Sequence, residues 1–412
     1  MINYCVTDGV AVLRLDAPPV NALDLALLEE LRQLIERAAG DADVRAVVIT
    51  GRPDHFSAGA DVKMFREIAS REEAVDGSKM FQEAFKRVED CPKPVVAAVA
   101  GSVMGGALEL AIACHCRLAA EGSRFAMPEV HLNVVPGCGG TQRLVRLVGA
   151  EAGLGMLLNG ETVHAERARS LGLVDAICPA AELDKRARRM ALEVSAPRKT
   201  RDETAKVQDG EALQAAFQAA EKRVGKVRPE LGAPRAILEA VRVGLEDSFQ
   251  AGLERERELS GDCMQSPATK SKVYLFFATR ETSKLPELAG VEPLPVARAG
   301  LVGMGSMGAG IAQAMIIAGL PVVVRGRRES TMEKATQRIQ KSFQRRVDQG
   351  KLAPERAEAM MGLLKTTTSW EQLSEADFVI ESVFEDVELK RDVLKRLESV
   401  CRPGAIIATN SS

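Results

Sequence analysis

Short apolar runs rich in β-branched residues alternate with amphipathic stretches through residues 1–190, and this alternation constrains the fold more than any other feature of the chain. VAVLRL at 10–15, VRAVVITG at 44–51 and PVVAAVAG at 94–101 read as strands, whereas LDLALLEELRQLIERAA reads as a helix with one apolar face. A chain that switches repeatedly between these periods belongs to the α/β class. From 191 to 295 the strand signal disappears. Ala, Glu, Arg and Lys dominate there, interrupted by Pro197, Pro229, Pro234 and Pro267, and apolar residues recur at helical spacing in AILEAVRVGL and KVYLFFATR. This stretch is expected to be a helical connector. At Val296 the strand signal returns in VARAGLVGMGSMGAGIAQAMIIAGLPVVV, which supplies a strand, a glycine turn, a helix and a second strand in about the thirty residues a βαβ unit needs. A second α/β domain is therefore expected over 296–412.

The 412 residues are long enough for two or three domains, and 46% hydrophobic with 27% charged side chains is a globular balance. With a formal charge of -2 and a pI near 6.2, there is no global basic field to hold nucleic acid. The eight cysteines form no CxxC pair, and no histidine stands at metal-ligand spacing. That pattern argues against a metal site and for free thiols in a reducing compartment. The N-terminal MINYCVTDGVAVLRLD alternates like a strand and lacks the basic start and apolar core of a signal peptide, and no apolar run reaches membrane-spanning length. A soluble intracellular protein is expected.

Chemistry concentrates in GSVMGGALEL, residues 101–110, where Glu109 is the one charged residue among glycines and apolar side chains. Burying a carboxylate costs free energy unless something compensates it. The glycines fall between the strand PVVAAVA and the helical AIACHCRLA, and the first N–H groups of a helix have no intrahelical partner. Such a junction can bind phosphate or stabilise an oxyanion, and Gly105 and Gly106 let a ligand approach the backbone. No lysine follows the glycines, so this is not a Walker phosphate loop. A second glycine turn, HFSAGAD at 55–61, follows VRAVVITG, and a second apolar-flanked carboxylate, Glu129, lies in FAMPEVHLNVVPGCGGTQRL. Taken singly, each turn reads as a tight connection, and each glutamate as a helix cap or the partner of an arginine such as Arg117 or Arg143.

Taken together and in this order, FSAGADVKMF, AAVAGSVMGGALELAIAC, FAMPEVHLNVVPGCGGTQRLVRLVG and NGETVHAERARSLGLVD resemble the crotonase (enoyl-CoA hydratase/isomerase) superfamily, from the N-terminus to about residue 185. The resemblance implies a crotonase-like spiral of ββα units. It implies a coenzyme A thioester whose carbonyl oxygen lies between the N–H groups of Ala60 and Gly106, where two preorganised donors stabilise an enolate without reorganisation cost. It also makes Glu109 and Glu129 the two catalytic glutamates, one ionised and activating water, the other protonated and delivering a proton to the α-carbon. Members with both glutamates also shift a 3-enoyl double bond to the 2-position, with Glu129 as the proton shuttle. Two positions depart from the usual pattern. His115 stands where many relatives have Asp and is expected, with His55, His131 and His164, to be structural. Asn133 stands where Gly is usual, and Asn tolerates a left-handed backbone.

Gly303-x-Gly305-x-x-Gly308 follows the strand ARAGLV and opens the helix SMGAGIAQAMIIAG, the context a dinucleotide site requires. The pyrophosphate would lie at that helix N-terminus, with Met307 in the turn. The other reading is a glycine turn in some different α/β domain. Downstream, ADFVIESVFEDVELKRDVLKRLE and AIIATNSS resemble the NAD-binding domain of the 3-hydroxyacyl-CoA dehydrogenases. By that resemblance the cofactor is NAD, Glu385 and Lys390 contact its nicotinamide half, and Ser412 matches the serine that hydrogen-bonds the substrate's 3-hydroxyl. The family usually sets an acidic residue on the adenosine ribose, but PVVVRGRRES has Gly326 there, flanked by Arg325, Arg327 and Arg328. Those arginines could receive a 2′-phosphate, which raises NADP; the alternative is a solvated basic turn with weakened NAD binding.

A crotonase-like domain (1–190), a helical connector (191–295) and the start of a Rossmann-type parallel sheet (296–412) resemble, in this order, the bifunctional enzymes of fatty-acid β-oxidation. The resemblance implies hydration of 2-enoyl-CoA to 3-hydroxyacyl-CoA, in bacterial cytoplasm or a peroxisome, with self-association or a thiolase as partner. The family's catalytic histidine, its partner glutamate and the closing helical domain fall past Ser412. The sheet is therefore expected to be incomplete, the chain a truncated form, and dehydrogenation confined to a longer one. The alternative is a non-catalytic relative that binds acyl-CoA or a dinucleotide.

Overall fold

Asp8 and Gly9 both hold positive φ, 53° and 78°, and turn β1 (Ile2–Thr7) back antiparallel along β2 (Val10–Leu15), as an Asp-Gly hairpin does. The computed structural model describes residues 1–208, 210–282, 285–348 and 352–411, and the chain divides into two units, Met1–Leu285 and Pro286–Ser412. In the first unit the chain continues through β3 (Ala46–Thr50), β4 (Val95–Val99), β5 (Ser102–Met104), β6 (Cys116–Ala120), β7 (Arg124–Ala126), β8 (Val163–His164) and β9 (Ala176–Cys178). The main sheet is ordered β1-β2-β3-β4-β6-β9 and is parallel from β2 onward. β3 and β4 are buried at every position, which is why their sequences are apolar except for Thr50, whose hydroxyl donates to the Ala98 carbonyl at 2.9 Å. A small sheet, β5-β7-β8, stands beside it.

The longer amphipathic helices of this unit each bury one stripe. α1 (Leu25–Gly40) is capped by Asp24, which accepts the Leu27 N–H at 2.8 Å, and buries Leu27, Leu28, Leu31, Ile35 and Ala38. α2 (Met64–Glu67) is a single turn, and α3 (Arg71–Glu89) is capped by Ser70 and buries Phe81, Phe85 and Val88. α4 (Gly106–Ala113) is buried on all sides, as its nearly uniform apolar sequence requires. α5 (Gly140–Val148), α6 (Ala150–Asn159), α7 (Ala165–Leu171) and α8 (Leu183–Glu193) follow. The strands expected at 10–15, 44–51 and 94–101 and the helix expected at 23–39 form where the periodicity puts them.

The expected connector over 191–295 is corrected by the structure. α9 (Gly210–Val224), α10 (Ala233–Glu246) and α11 (Phe249–Gln265) bury Phe217, Ile237, Val241, Leu259 and Cys263 in the same core as Phe85, Leu144 and Leu157. With α12 (Pro267–Glu281), they belong to the first unit, which runs to Leu285. The reason is physical: α9, α10 and α11 each have an apolar stripe that a solvated connector would leave in water. Asn133 ties them down. At φ 60°, the left-handed geometry expected of it, its Oδ1 accepts the Ala233 N–H at 3.1 Å and its Nδ2 donates to Ser266 and Thr269 at 3.1 and 3.0 Å.

The second unit contains β10 (Ala299–Val302), β11 (Val322–Arg325), β12 (Leu364–Thr367), β13 (Phe378–Glu381) and β14 (Ile406–Thr409), all parallel, in the order β12-β11-β10-β13-β14. α13 (Ser306–Ile317), α14 (Glu329–Asp348), α15 (Pro354–Gly362) and α16 (Val387–Val400) lie between them in sequence. This is the doubly wound order, and its switch point falls between β10 and β13, where such folds bind nucleotides.

Candidate active site

The two glycine turns of the first unit meet at their backbones. Gly59 holds φ 92°, and a Cβ there would stand 2.3 Å from the Met104 carbonyl oxygen, so only glycine allows the approach. A Cβ on Gly106 would lie 3.1 Å from the Ala60 nitrogen. Neither the Ala60 nor the Gly106 N–H has a hydrogen-bond partner among the described residues. Both residues line a cavity of about 90 Å³, together with Glu109, Glu129, Cys138 and Ser260. That volume holds several waters.

Glu109, in the first turn of α4, is buried, and its Oε1 accepts the N–H groups of Cys138 at 2.8 Å and Gly140 at 2.7 Å. Burial pushes its carboxyl above the usual range, opposed by those two N–H donors and by the Arg143 guanidinium. Glu129 sits on the short 3-10 turn Pro128–Leu132, and its Oε2 is buried without a partner among the described residues. Burial, with the Glu109 charge next, pushes its carboxyl up to about 8. The arginines that could have paired with these glutamates are engaged elsewhere. Arg143 pairs with Glu89 at 2.8 Å, both buried, and Arg117 with Asp175 at 3.2 Å. His115 is structural as expected: its Nδ1 accepts the Val95 N–H at 2.9 Å and its Nε2 lies 3.0 Å from the Glu89 carbonyl.

The residue that reading the sequence missed is Glu256. It comes from α11, inside the stretch read as a connector, and is fully buried. Its carboxylate accepts the N–H groups of Gly139 at 2.6 Å and Thr141 at 3.1 Å, the Thr141 hydroxyl at 2.5 Å and the Gln82 amide at 3.0 Å. Burial, then the Glu109 charge, pushes it up to about 8. One signal was available. Within LERERELSGDC, position 256 falls on the same helical stripe as Leu253, Leu259, Ser260 and Cys263, all buried.

In the second unit the glycine turn lies at the switch point. Gly303, at φ 103°, would place a Cβ 2.3 Å from the Ser382 carbonyl, and Gly308 would place one 2.2 Å from the Gly303 carbonyl. A Cβ on Gly305 would meet nothing within 4 Å, so space is kept open where α13 begins, and Met307 beside it is exposed. Lys390 reaches Glu381 at 2.9 Å and Glu385 at 3.4 Å, and Glu385 accepts from Ser411 at 2.7 Å. Ser412 lies outside the described residues. Gly326 is buried, with Arg325 flanking it and stacked 4.2 Å over the Trp370 ring, while Arg327 and Arg328 are exposed.

Residues 6–231 match the enoyl-CoA hydratase/isomerase family, and residues 298–412 match the 3-hydroxyacyl-CoA dehydrogenase NAD binding domain. The chain belongs to the enoyl-CoA hydratase/isomerase family, followed by that NAD-binding domain. Among its relatives, the glyoxysomal fatty acid beta-oxidation multifunctional protein MFP-a of Brassica napus is 37% identical over 414 residues, which cover 98% of this chain and 57% of that protein. The fatty acid oxidation complex subunit alpha of Shewanella loihica is 36% identical over 416 residues, covering 98% of this chain and 59% of that protein. A solved enoyl-CoA hydratase/isomerase from Xanthobacter autotrophicus Py2 is 27% identical, with 69% of this chain and 98% of that one covered at a TM-score of 0.49. The chain thus spans 57% to 59% of the length of these curated relatives.

Proposed function

We propose that the first unit adds water to 2-enoyl-CoA thioesters to give 3-hydroxyacyl-CoA. The observation that carries this is the convergence of two unpartnered amides, Ala60 and Gly106, with two carboxyls, Glu109 and Glu129, on one cavity. The thioester oxygen accepts from both N–H groups. Glu109, held by two amide donors near the start of α5, is the ionised partner: it takes a proton from water as the water oxygen bonds to C3. The C2=C3 π pair becomes the C1=C2 bond of an enolate as the carbonyl π pair moves onto the thioester oxygen, where the two amides stabilise it. Glu129, with its carboxyl up at about 8, is protonated near neutral pH and gives its proton to C2. The test is hydration of crotonyl-CoA and of a longer 2-enoyl-CoA, with a 3-enoyl-CoA to measure isomerisation. Glu109→Gln should lose about three powers of ten in turnover with its circular dichroism unchanged, in line with removal of a positioned general base. Wild-type turnover in that variant refutes the assignment.

The second unit, in this reading, binds NAD with the pyrophosphate at the start of α13, where Gly305 keeps the backbone accessible. Bound NAD supplies a hydride acceptor. The chain's own residues hold it: the glycine turn takes the diphosphate, and Lys390, anchored by Glu381, presents Glu385 at the nicotinamide end. NADP is the finer question. Arg325 also donates to the Thr368 carbonyl at 3.3 Å, so Arg327 and Arg328 are the exposed arginines available to a 2′-phosphate. Titration with both dinucleotides decides it: equal or stronger NAD binding removes NADP.

A further inference from the structure

Four consecutive backbone N–H groups, from Cys138 to Thr141, enter α5, and they are shared alternately by two glutamates from different helices. Those of Cys138 and Gly140 go to Glu109, and those of Gly139 and Thr141 go to Glu256. Successive amides in this turn therefore point to opposite sides. Fixing one alternate pair restrains the other, because each amide is joined to its neighbour through only one φ/ψ pair. Glu256 is itself immobilised: Gln82 donates to its Oε1, the Thr141 hydroxyl donates to its Oε2, and α11 is packed on α3 through Gln82, whose Nε2 also donates to the Leu253 carbonyl at 3.0 Å.

We propose that Glu256 is a positioning residue for the hydration reaction: by taking the Gly139 and Thr141 amides it aims those of Cys138 and Gly140 at Glu109, and so sets that carboxylate's orientation and charge. This rests on the hydratase reading above. Glu256 does not line the cavity, so it acts through Glu109 and not on substrate. The charged and titratable groups around the pair are Glu129 from the 3-10 turn, Arg143 of α5 paired with Glu89 of α3, and the buried Cys138 thiol, which burial pushes up. Arg146 of α5 lies over the Phe249 ring at the start of α11. Burial and then the Glu109 charge push the Glu256 carboxyl up to about 8, so near neutral pH Glu256 is protonated and acts on Glu109 through the shared turn, not as a like charge.

The experiment compares Glu256→Gln and Glu256→Ala in the full chain. Glu256→Gln keeps one acceptor oxygen and puts an amide N–H2 where the other faced its donors. The acidic limb of the pH profile for crotonyl-CoA turnover should then move to higher pH by about one unit, because the Cys138 and Gly140 amides that hold the Glu109 carboxyl down are no longer aimed at it. Glu256→Ala frees the turn, and kcat should fall about 100-fold with KM within about threefold, the signature of a misplaced catalytic group. In parallel, the carbon-13 signal of the Glu109 carboxyl, assigned by its loss in Glu109→Gln, should titrate about one unit higher in Glu256→Gln. This readout needs no turnover, so it still decides the matter if the wild type proves inactive and the hydratase reading itself fails. An unmoved carboxyl titration in Glu256→Gln overturns the proposal, as does an unmoved pH profile in an active protein.

Discussion

A methyl group on Gly105 would stand 2.5 Å from Oε1 of Glu129, so the absence of a side chain at the entrance to α4 is what makes room for that carboxyl. Gly105 also holds φ 53°, which an L side chain adopts only under strain. Gly105→Ala should therefore displace Glu129 and lower crotonyl-CoA turnover about 100-fold, the cost of misplacing a reacting group by an ångström or so. Steady-state kinetics on a variant shown by circular dichroism to be folded checks this. Full turnover would take Glu129 out of the reaction.

The buried pair of Glu89 and Arg143 joins the end of α3 to α5. Glu89 also accepts the Arg201 N–H at 2.9 Å, so it serves two segments at once. Glu89→Ala leaves a guanidinium buried without its counter-charge and should cost about 3–5 kcal/mol. Far-ultraviolet dichroism in urea is the suitable probe, because the one tryptophan, Trp370, belongs to the other unit. A loss under about 1 kcal/mol would mean that water replaces the carboxylate, as at an exposed pair.

Glu129 and Glu256 both have carboxyls raised from 4.5 to about 8 in the folded chain. Between those values the folded state holds protons that the unfolded chain has released, so unfolding free energy falls as pH rises through the window. The stabilisation is complete below 4.5 and gone above about 8. His115, whose pKa burial lowers, pushes the other way only up to its ordinary value of 6.5. Urea midpoints taken from about pH 7 to pH 8 should decline, and Glu129→Gln should flatten the decline. A wild-type midpoint that climbs over that interval contradicts the raised values.

An acidic residue cannot simply be restored at position 326. A side chain there would meet Cγ and Sδ of Met332 at 2.6 Å, and Met332 is buried in the second unit's core. Gly326→Asp alone should bind NAD no more tightly than the wild type. Combined with Met332→Ala it should bind about tenfold more tightly, the worth of one charge-assisted hydrogen bond to the ribose. Fluorescence of Trp370, which stacks with Arg325 next to this position, can follow the titration. Tighter binding by the single variant would show that Met332 yields freely.

Both catalytic candidates were legible because each is a lone carboxylate in an apolar, glycine-rich stretch, a local anomaly that needs no tertiary information. The same holds for Gly303, Gly305 and Gly308, whose strand-turn-helix context is written within thirty residues or so. Glu256 was hidden because its neighbours, Glu254, Arg255, Arg257 and Glu258, make the run look like a solvated face; only the buried stripe through Leu253 and Leu259 separates it from them. Glu381 escaped for a related reason. Its role depends on Lys390, nine residues on, and on Thr409 from a neighbouring strand, 2.6 Å away, a pairing that strand order alone creates.

The family match of the first unit stops at residue 231, whereas α11 begins at Phe249. A fragment cut at that border would keep both glycine turns of the first unit and both Glu109 and Glu129. It would nevertheless leave the amides of Gly139 and Thr141 without an acceptor and strip Ser260 and Met264 from the cavity wall. Ancestry and physical closure thus draw different frontiers through this polypeptide, and the smallest piece able to close that cavity is longer than the piece its pedigree defines.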